Sequence, residues 1–217
     1  MNTRIRITIL YDNTLWKEGC VSDWGFSCLI EAHGKTILFD TGAKGDILLN
    51  NMDELNIAHS TIDSVFISHD HWDHVNGLSE LLKIKNVTVF CPESCVVEDK
   101  TIDLQKIHHS CGLFENIFST GELGEDEKEH ALLIKHGDDI TVIVGCSHPG
   151  VDIILEKAAG FGTVKNIIGG FHDFSNIETL YFLERICPTH CTVAIEEIRW
   201  LYPEKFIEGG VGRVITL

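Results

Sequence analysis

Short apolar runs alternate with one amphipathic stretch through the first half of the chain. The runs IRITILYD and FSCLIEAHGKTILFDTG predict strands, and the second is expected to be a hairpin that turns at His33–Lys35. The stretch GDILLNNMDELN spaces Leu48, Met52 and Leu55 as on one face of a helix. SVFISH and VTVFCP then predict two buried strands, on either side of a helix from about Asp73 to Lys83.

The second half of the chain repeats this order of patterns. HALLIKHGDDITVIVGCSH predicts a hairpin that turns at Gly137–Asp139, and a helix is expected over Val151–Ala159. VKNIIGGFH predicts a further buried strand. Ser175 and Glu178 have capping-box spacing and are expected to open a helix over NIETLYFLERI. TVAIEEIRWLY predicts a last helix, and GRVITL predicts a closing strand.

The repeated pattern predicts one domain over residues 1–217 with two similar halves, roughly 1–96 and 125–217. The segment between them has few clear periods and several glycines, and it is expected to be a lid or insertion. Hairpins mixed with strand–helix units predict the α/β (α+β) class. The expected architecture is a four-layer αββα sandwich, in which two mixed β-sheets lie face to face with helices outside.

Composition narrows the function classes. The chain has 17 basic and 33 acidic residues in 217, a formal charge of −16, which argues against nucleic acid as a partner because counterion release needs clustered Lys and Arg. The N-terminal stretch lacks a signal-peptide pattern and no long apolar run occurs, so a cytoplasmic protein with no membrane partner is expected. Eight cysteines are then expected as free thiols. The pattern makes no prediction of oligomeric state.

Polar side chains follow the predicted strands at the points where each strand ends. Asp40 ends KTILFD and His69 ends the run DSVFIS, while His148, His172 and His190 follow strands of the second half. Strand ends on one edge of a layered sheet converge, so these five residues are expected to share a cleft.

The motif HDHWDH has the spacing of a metal site. His69 and His71 are two residues apart, so in an extended segment their side chains point the same way. Asp73 and His74 begin the next helix and offer ligands for a second ion. Mixed His and Asp ligation suits Zn²⁺, Fe or Mn²⁺ rather than Ca²⁺ or Mg²⁺, and one or two Zn²⁺ ions are expected. The alternative is a solvated polar loop.

FDTG followed by SHDHWDHVNGL resembles the metallo-β-lactamase superfamily. The stretches WGFSCLIEAHGKTILFDTG, GDILLNNMDELNI, GCSHPGV, IIGGFH and PTHCT resemble its branch of 7,8-dihydropterin-6-yl-methyl-4-(β-D-ribofuranosyl)aminobenzene 5′-phosphate synthase-like proteins. The resemblance implies a hydrolase that uses a metal-bound hydroxide at a mono- or dinuclear site. Its implied substrate is a small anionic molecule, either phosphorylated and pterin-like or another phosphate or ester.

The resemblance also implies roles for particular residues. The implied ligands are His69 and His71 for one ion, Asp73 and His74 for a second, and His148 and His190 from the second half. Either Asp73 or the metal pair itself would position the attacking water, and Asp40 would orient a ligand histidine through a hydrogen bond. A simple Asp-Thr-Gly turn is the other explanation for Asp40.

Two residues leave alternatives open. Cys146 stands where many superfamily members have an Asp that bridges two metals, and it is either a ligand or a buried thiol. Four roles stay open for His172. It is either a catalytic group that stabilises developing charge or shuttles a proton, or a metal ligand, or a residue that binds substrate, or a histidine of the core. Two other functions also stay open: a di-iron redox enzyme, and a non-enzymatic metal-binding sensor or scaffold.

Further expectations concern two tryptophans and four histidines outside these motifs. Trp16 and Trp24, after the first strand, are expected either to wall a cleft or to pack in the core. Four histidines are expected on the surface: His33, His59, His130 and His136.

Overall fold

The structure, a computed structural model, describes residues 4–96 and 102–217. The chain clusters into two compact units, the first running to Ile107 and including Gly209–Leu217, the second comprising His108–Glu208. Residues 97–101 of the predicted lid or insertion lie outside the described residues. From Leu104 to Gly121 the chain forms strands, and a lid or insertion in this region stays a prediction.

Thirteen strands occur in the described residues. In chain order they are β1 Arg6–Tyr11, β2 Ser27–Ala32, β3 Lys35–Phe39, β4 Ser64–Phe66, β5 Thr88–Pro92, β6 Leu104–Ile107, β7 His109–Phe114, β8 Ile117–Gly121, β9 Leu132–His136, β10 Asp139–Val144, β11 Thr163–Gly170, β12 Arg185–Thr189 and β13 Val214–Thr216. The α-helices of the same residues are α1 Gly45–Glu54, α2 Trp72–Val75, α3 Leu78–Ile84, α4 Val151–Ala159 and α5 Ile195–Leu201. No described helix is long and apolar enough to cross a membrane.

Each unit contains one mixed sheet. The first has the order β13-β1-β2-β3-β4-β5-β6, antiparallel up to β3 and parallel from β3 to β6. The second has the order β12-β11-β10-β9-β8-β7, with β10, β11 and β12 parallel and the other pairs antiparallel. The carboxyl ends of the parallel strands therefore lie at one edge of each sheet.

The predicted hairpins and most of the predicted helices are confirmed. The β2–β3 turn falls at His33 and Gly34, both of which have positive φ. Helix α1 buries Leu48 and Met52 in the core of the first unit. Helix α4 spans the predicted residues and packs its apolar side on the core of the second unit. Burial of these faces supplies the main favourable free energy of each unit.

The predicted helix from Asp73 to Lys83 is wrong as a single helix. It is two helices, α2 and α3, interrupted at Asn76 and Gly77. A Cβ built on Gly77 would lie 2.1 Å from the carbonyl oxygen of Thr41. The interruption therefore lets the backbone approach the chain that leaves β3, which a larger residue would prevent.

The predicted helix over NIETLYFLERI is also wrong. Ile177–Phe182 forms a 3-10 helix whose N-cap residue, Asn176, makes no side-chain cap hydrogen bond, so no capping box forms. The last residues of the stretch begin β12, which pairs in parallel with β11. Sheet pairing outweighs the helical period of this segment, as tertiary context commonly does.

Candidate metal centre

Asp40 organises the site in the first unit. It directly follows β3, is fully buried and has a φ of 52°. Its carboxylate accepts hydrogen bonds from the Ser68 backbone N–H and hydroxyl, each 2.7 Å, and contacts Nδ1 of His74 at 2.7 Å. A buried carboxylate needs such donors to offset its desolvation. Asp40 thus contacts a histidine that the sequence predicts as a ligand.

These contacts fix which ring nitrogen carries the proton in two histidines. A carboxylate only accepts, so in the neutral ring of His74 the proton lies on Nδ1 and Nε2 holds a lone pair. The single proton of the Ser68 hydroxyl points to Asp40, so its oxygen accepts from Nδ1 of His69 at 2.8 Å. Both rings therefore present Nε2 in the form that ligates metal.

Three imidazoles of the motif lie together. The ring of His69 has its centroid 4.5 Å from that of His71 and 4.2 Å from that of His74. His69 and His74 are buried, and His71 is half-buried. Because His71 is the N-cap residue of α2, the short helix starts immediately and brings His74 back to His69.

Asp73 is buried in α2 and is held by a residue from a distant part of the sequence. Nε1–H of Trp24 donates to Oδ2 of Asp73 at 2.8 Å, and the N–H of Phe26 donates to the carbonyl of Asp73 at 3.2 Å. Trp24 and Trp16 are each about half exposed, so packing in the core is wrong for both. The guanidinium of Arg213 lies 4.0 Å from the ring centroid of Trp16.

The donor set of the first unit fits a transition metal or zinc. Three imidazoles and one carboxylate lie in one short segment, and two of the imidazoles are set for coordination through Nε2. Nitrogen-rich sets of this kind suit Zn²⁺, Fe or Mn²⁺, whereas Ca²⁺ takes oxygen ligands. The distribution of these residues between two ions stays a prediction.

In the second unit the predicted residues follow three adjacent parallel strands. Cys146 and His148 come after β10, His172 after β11 and His190 after β12. Ser147, His172 and His190 have φ values of 61°, 46° and 49°. Non-glycine residues in this region cost of order 1–3 kcal/mol each and are concentrated at functional sites.

His148 and His172 lie side by side in the second unit. Their ring centroids are 5.1 Å apart, and Nδ1 of His148 lies 2.7 Å from a carboxylate oxygen of Glu127. A cavity of about 250 Å³ is lined by both histidines and by Ser147 and Phe174, among others. His172 is exposed, so the core-histidine alternative is wrong; its other three alternatives stay predictions.

Cys146 and His190 are both buried, and the structure leaves their coordination a prediction. The loop from Gly145 to His148 is bonded to a residue that the sequence patterns did not single out. Glu129 is fully buried and accepts hydrogen bonds from the backbone N–H groups of Gly145, Cys146 and His148.

Pattern reading missed several residues of these networks, namely Ser68, Glu127 and Glu129. The expectation of a surface position for His130 is wrong, because its ring is buried and bonded to the hydroxyl of Ser119 at 2.9 Å. The sequence did contain one signal for Glu129 and His130. In EHALLI these two polar residues immediately precede an apolar strand, and polar side chains that are buried there need hydrogen-bond partners.

Comparison with known proteins identifies the class. The family model described as "Anti-Pycsar protein Apyc1" matches residues 20–116. A solved structure described as a metal-dependent hydrolase of the β-lactamase superfamily, Tm1679, is 24% identical with a TM-score of 0.80, covering 98% of this chain and 99% of that one. The chain therefore has the metallo-β-lactamase fold, and the predicted α/β (α+β) class with two mixed sheets and helices is confirmed.

Two curated relatives come from Methanocaldococcus jannaschii. One is 7,8-dihydropterin-6-methyl-4-(β-D-ribofuranosyl)-aminobenzene-5′-phosphate synthase, 28% identical, with 94% of this chain and 92% of the relative covered. The other is an uncharacterized protein, 28% identical, with 97% of this chain and all of the relative covered. The resemblance to the superfamily and to its dihydropterin phosphate synthase-like branch is confirmed.

Proposed function

We propose that the protein is a metal-dependent hydrolase of small anionic molecules. The observation that carries the proposal is the hydrogen-bond network from Asp40 through Ser68, which presents Nε2 of His69 and His74 as lone-pair donors in one cluster. A network that only stabilised the fold would not need two imidazoles in the same tautomer, whereas metal binding does.

The proposed ion is Zn²⁺, one or two per chain, with Fe or Mn²⁺ as the other candidates. When bound, such an ion lowers the pKa of a coordinated water toward neutrality and so supplies a nucleophile. His69, His71 and His74 would hold metal through ring nitrogens, and Asp73 through a carboxylate oxygen. His148 and His190 are the further ligands that we propose from the sequence.

Asp73 and His172 are the proposed catalytic residues. Asp73 would orient the attacking water, and the hydrogen bond from Trp24 restricts its carboxylate to one orientation. His172 is exposed at the cavity that it lines with His148, so it can contact a substrate and donate a proton to a leaving group. A carboxylate oxygen of Asp173 lies 3.3 Å from Nδ1 of His172.

The substrate class is proposed from the relatives. One of them is named as the synthase of a dihydropterin joined to a ribofuranosylaminobenzene 5′-phosphate. A phosphorylated pterin-like molecule is accordingly the first substrate to test, followed by other phosphates and esters. We also keep as proposals a cytoplasmic location and the absence of nucleic-acid and membrane partners. The charge of −16 favours the absence of a nucleic-acid partner.

The test combines metal analysis with a matched pair of variants. Protein purified without added metal is analysed for bound elements and screened against phosphomonoesters, phosphodiesters, lactones and thioesters. Asp73→Asn is expected to lower kcat by about 10²–10⁴-fold while the protein keeps metal. Asp70→Asn changes the exposed aspartate of the same motif and serves as the control with unchanged kcat.

Three results would contradict the proposal. Wild-type protein without Zn, Fe or Mn, and unable to bind them on titration, would rule out the metal site. Turnover by Asp73→Asn at the wild-type rate would rule out the role given to Asp73. Metal binding with no hydrolysis of any substrate class would favour the sensor or scaffold.

A further inference from the structure

Glu129 is a buried charge that the proposed chemistry does not use. Its side chain is inaccessible to solvent, and its carboxylate is directed at the loop that follows β10. An ionised carboxylate in such a place is costly unless several donors surround it. Its presence at this buried position needs a reason other than packing.

Three backbone donors of one loop converge on this carboxylate. Oε1 accepts from the N–H of Gly145 at 2.8 Å and of Cys146 at 3.2 Å, and Oε2 accepts from the N–H of His148 at 3.0 Å. Backbone N–H groups that converge in this way form an anion-binding concavity. Here the anion is a side chain of the same unit.

The carboxylate itself is held in place. The backbone of Glu129 exchanges two hydrogen bonds with Leu123, of 2.9 and 3.1 Å, which limits where its side chain can reach. The loop is also tied to the end of β11, since the N–H of Gly170 donates to the carbonyl of Gly145 at 2.9 Å. The loop therefore sits between two fixed points.

The loop has a conformation that needs such support. Ser147, between Cys146 and His148, has a φ of 61°, in the left-handed region that side chains other than glycine rarely adopt. The hydroxyl of Ser147 donates to the carbonyl of Gly170 at 2.7 Å, but that bond does not engage the N–H groups of the loop. With the carboxylate of Glu129 removed, those N–H groups would lose the acceptor that draws them to one place. The backbone at His148 could then relax and turn its ring.

We infer that Glu129 is a positioning residue, which fixes the loop Gly145–His148 so that the ring of His148 is held for metal binding. The inference rests on the proposed function, in which His148 is a ligand. In the first unit a buried carboxylate, Asp40, contacts a proposed ligand ring directly. Glu129 performs the same task on the backbone that carries the ligand.

The experiment uses Glu129→Gln in the full chain. Glutamine keeps the size of the side chain but has only one oxygen. Its amide NH₂ group must therefore face a backbone N–H whose hydrogen bond a carboxylate oxygen accepts in the wild type, and two donors then oppose each other. Zn²⁺ affinity, measured by competition with a chromophoric chelator, is expected to weaken about 10–100-fold, as for other residues that orient ligands. Glu156→Gln, an exposed glutamate on α4, is the control and should bind Zn²⁺ as the wild type does.

A double variant separates positioning from general stability. In a His148→Ala background the loop has no ligand ring to hold, so adding Glu129→Gln should change the Zn²⁺ dissociation constant by less than about twofold. An equally large effect with and without His148 would overturn the inference. So would wild-type affinity in Glu129→Gln.

Folding of each variant is checked by circular dichroism of the metal-free protein. If Glu129→Gln does not fold, Glu129→Asp replaces it, because aspartate keeps the charge but is one methylene too short to reach all three N–H groups. Weaker Zn²⁺ binding by folded Glu129→Asp supports the inference, and unchanged binding overturns it. Failure of the wild type to bind Zn²⁺ would instead contradict the proposed function.

Discussion

The hydroxyl of Ser68 links Asp40 to His69, and Ser68→Ala tests whether this link matters for metal binding. The substitution removes the hydrogen bond to Asp40 and leaves Nδ1–H of His69 without the oxygen 2.8 Å away. The hydrogen bonds that Asp40 accepts from the backbone N–H of residue 68 and from His74 remain, so the rest of the network stays in place. The perturbation is therefore local.

The magnitude follows from the two bonds that are lost. A hydrogen bond to a charged group contributes about 1.5–3 kcal/mol and one between neutral groups about 0.5–1.5 kcal/mol, so the metal-free protein should lose about 2–4.5 kcal/mol of unfolding free energy. His69 then has no fixed tautomer, and Zn²⁺ affinity should fall about 10–100-fold. Asp40→Ala, which removes every contact of the carboxylate, should have the larger effect on both quantities.

Urea unfolding of the metal-free protein and chelator competition for Zn²⁺ measure the two effects separately. Ser79→Ala removes an exposed hydroxyl on α3 that bonds Glu80, and it is the matched control. If Ser68→Ala keeps Zn²⁺ affinity within about twofold of the wild type while Asp40→Ala loses it, Ser68 does not transmit the effect of Asp40. The tautomer argument for His69 would then be refuted.

Two further substitutions test the surroundings of Asp73. Trp24→Phe removes the N–H that donates to Asp73 but keeps an aromatic ring, so kcat should fall about 10-fold while the metal is retained. An unchanged kcat would show that this hydrogen bond has no role in catalysis. The neighbouring Asp23 has its pKa lowered chiefly by a hydrogen bond that it accepts from Lys44 and also by one that it accepts from Tyr11. Because the folded-state pKa of Asp23 is lowered, its charge stabilises the folded state fully above the unfolded-state value of 3.8, and this stabilisation is lost as the pH falls through the lower folded-state value. Asp23→Asn should therefore reduce the unfolding free energy at pH 7, and the difference from the wild type should shrink as the pH is lowered below 3.8 in urea titrations.

Local sequence spacing predicted the first part of the site because its residues are neighbours in the chain. His69, His71 and His74 fall within six residues, and a strand end followed by a short helix is enough to bring their rings together. The contact between Asp40 and His74 joins residues 34 positions apart, and only the resemblance indicated it.

The residues that were missed act through tertiary contacts. Ser68 looks like any polar residue after a strand, and its role depends on a carboxylate 28 positions earlier. Glu129 precedes an apolar strand and bonds a loop 16 to 19 positions later. Pattern and spacing describe neighbours along the chain, so they carry no information about such pairs.

The two helix errors have different physical causes. At Gly77 the helix is interrupted because two backbones approach within a distance that only glycine allows, and the apolar period on either side hides the break. After Phe182 the chain leaves its 3-10 helix because Ile186 and its neighbours pair with β11. Neither the close approach nor the pairing is encoded in a local period.

The most expensive features of the fold lie at its strand ends. Asp40 and Glu129 are fully buried carboxylates, and each is surrounded by donors from a loop that follows a neighbouring strand. Asp40 and Ser147 also adopt positive φ in these same places. Apolar residues at these positions would avoid the desolvation cost, since replacing buried charges by well-packed apolar groups is often neutral or stabilising. Each of these costly features lies next to a histidine that we propose as a metal ligand. This placement supports the proposal that the loops serve ligand geometry rather than stability.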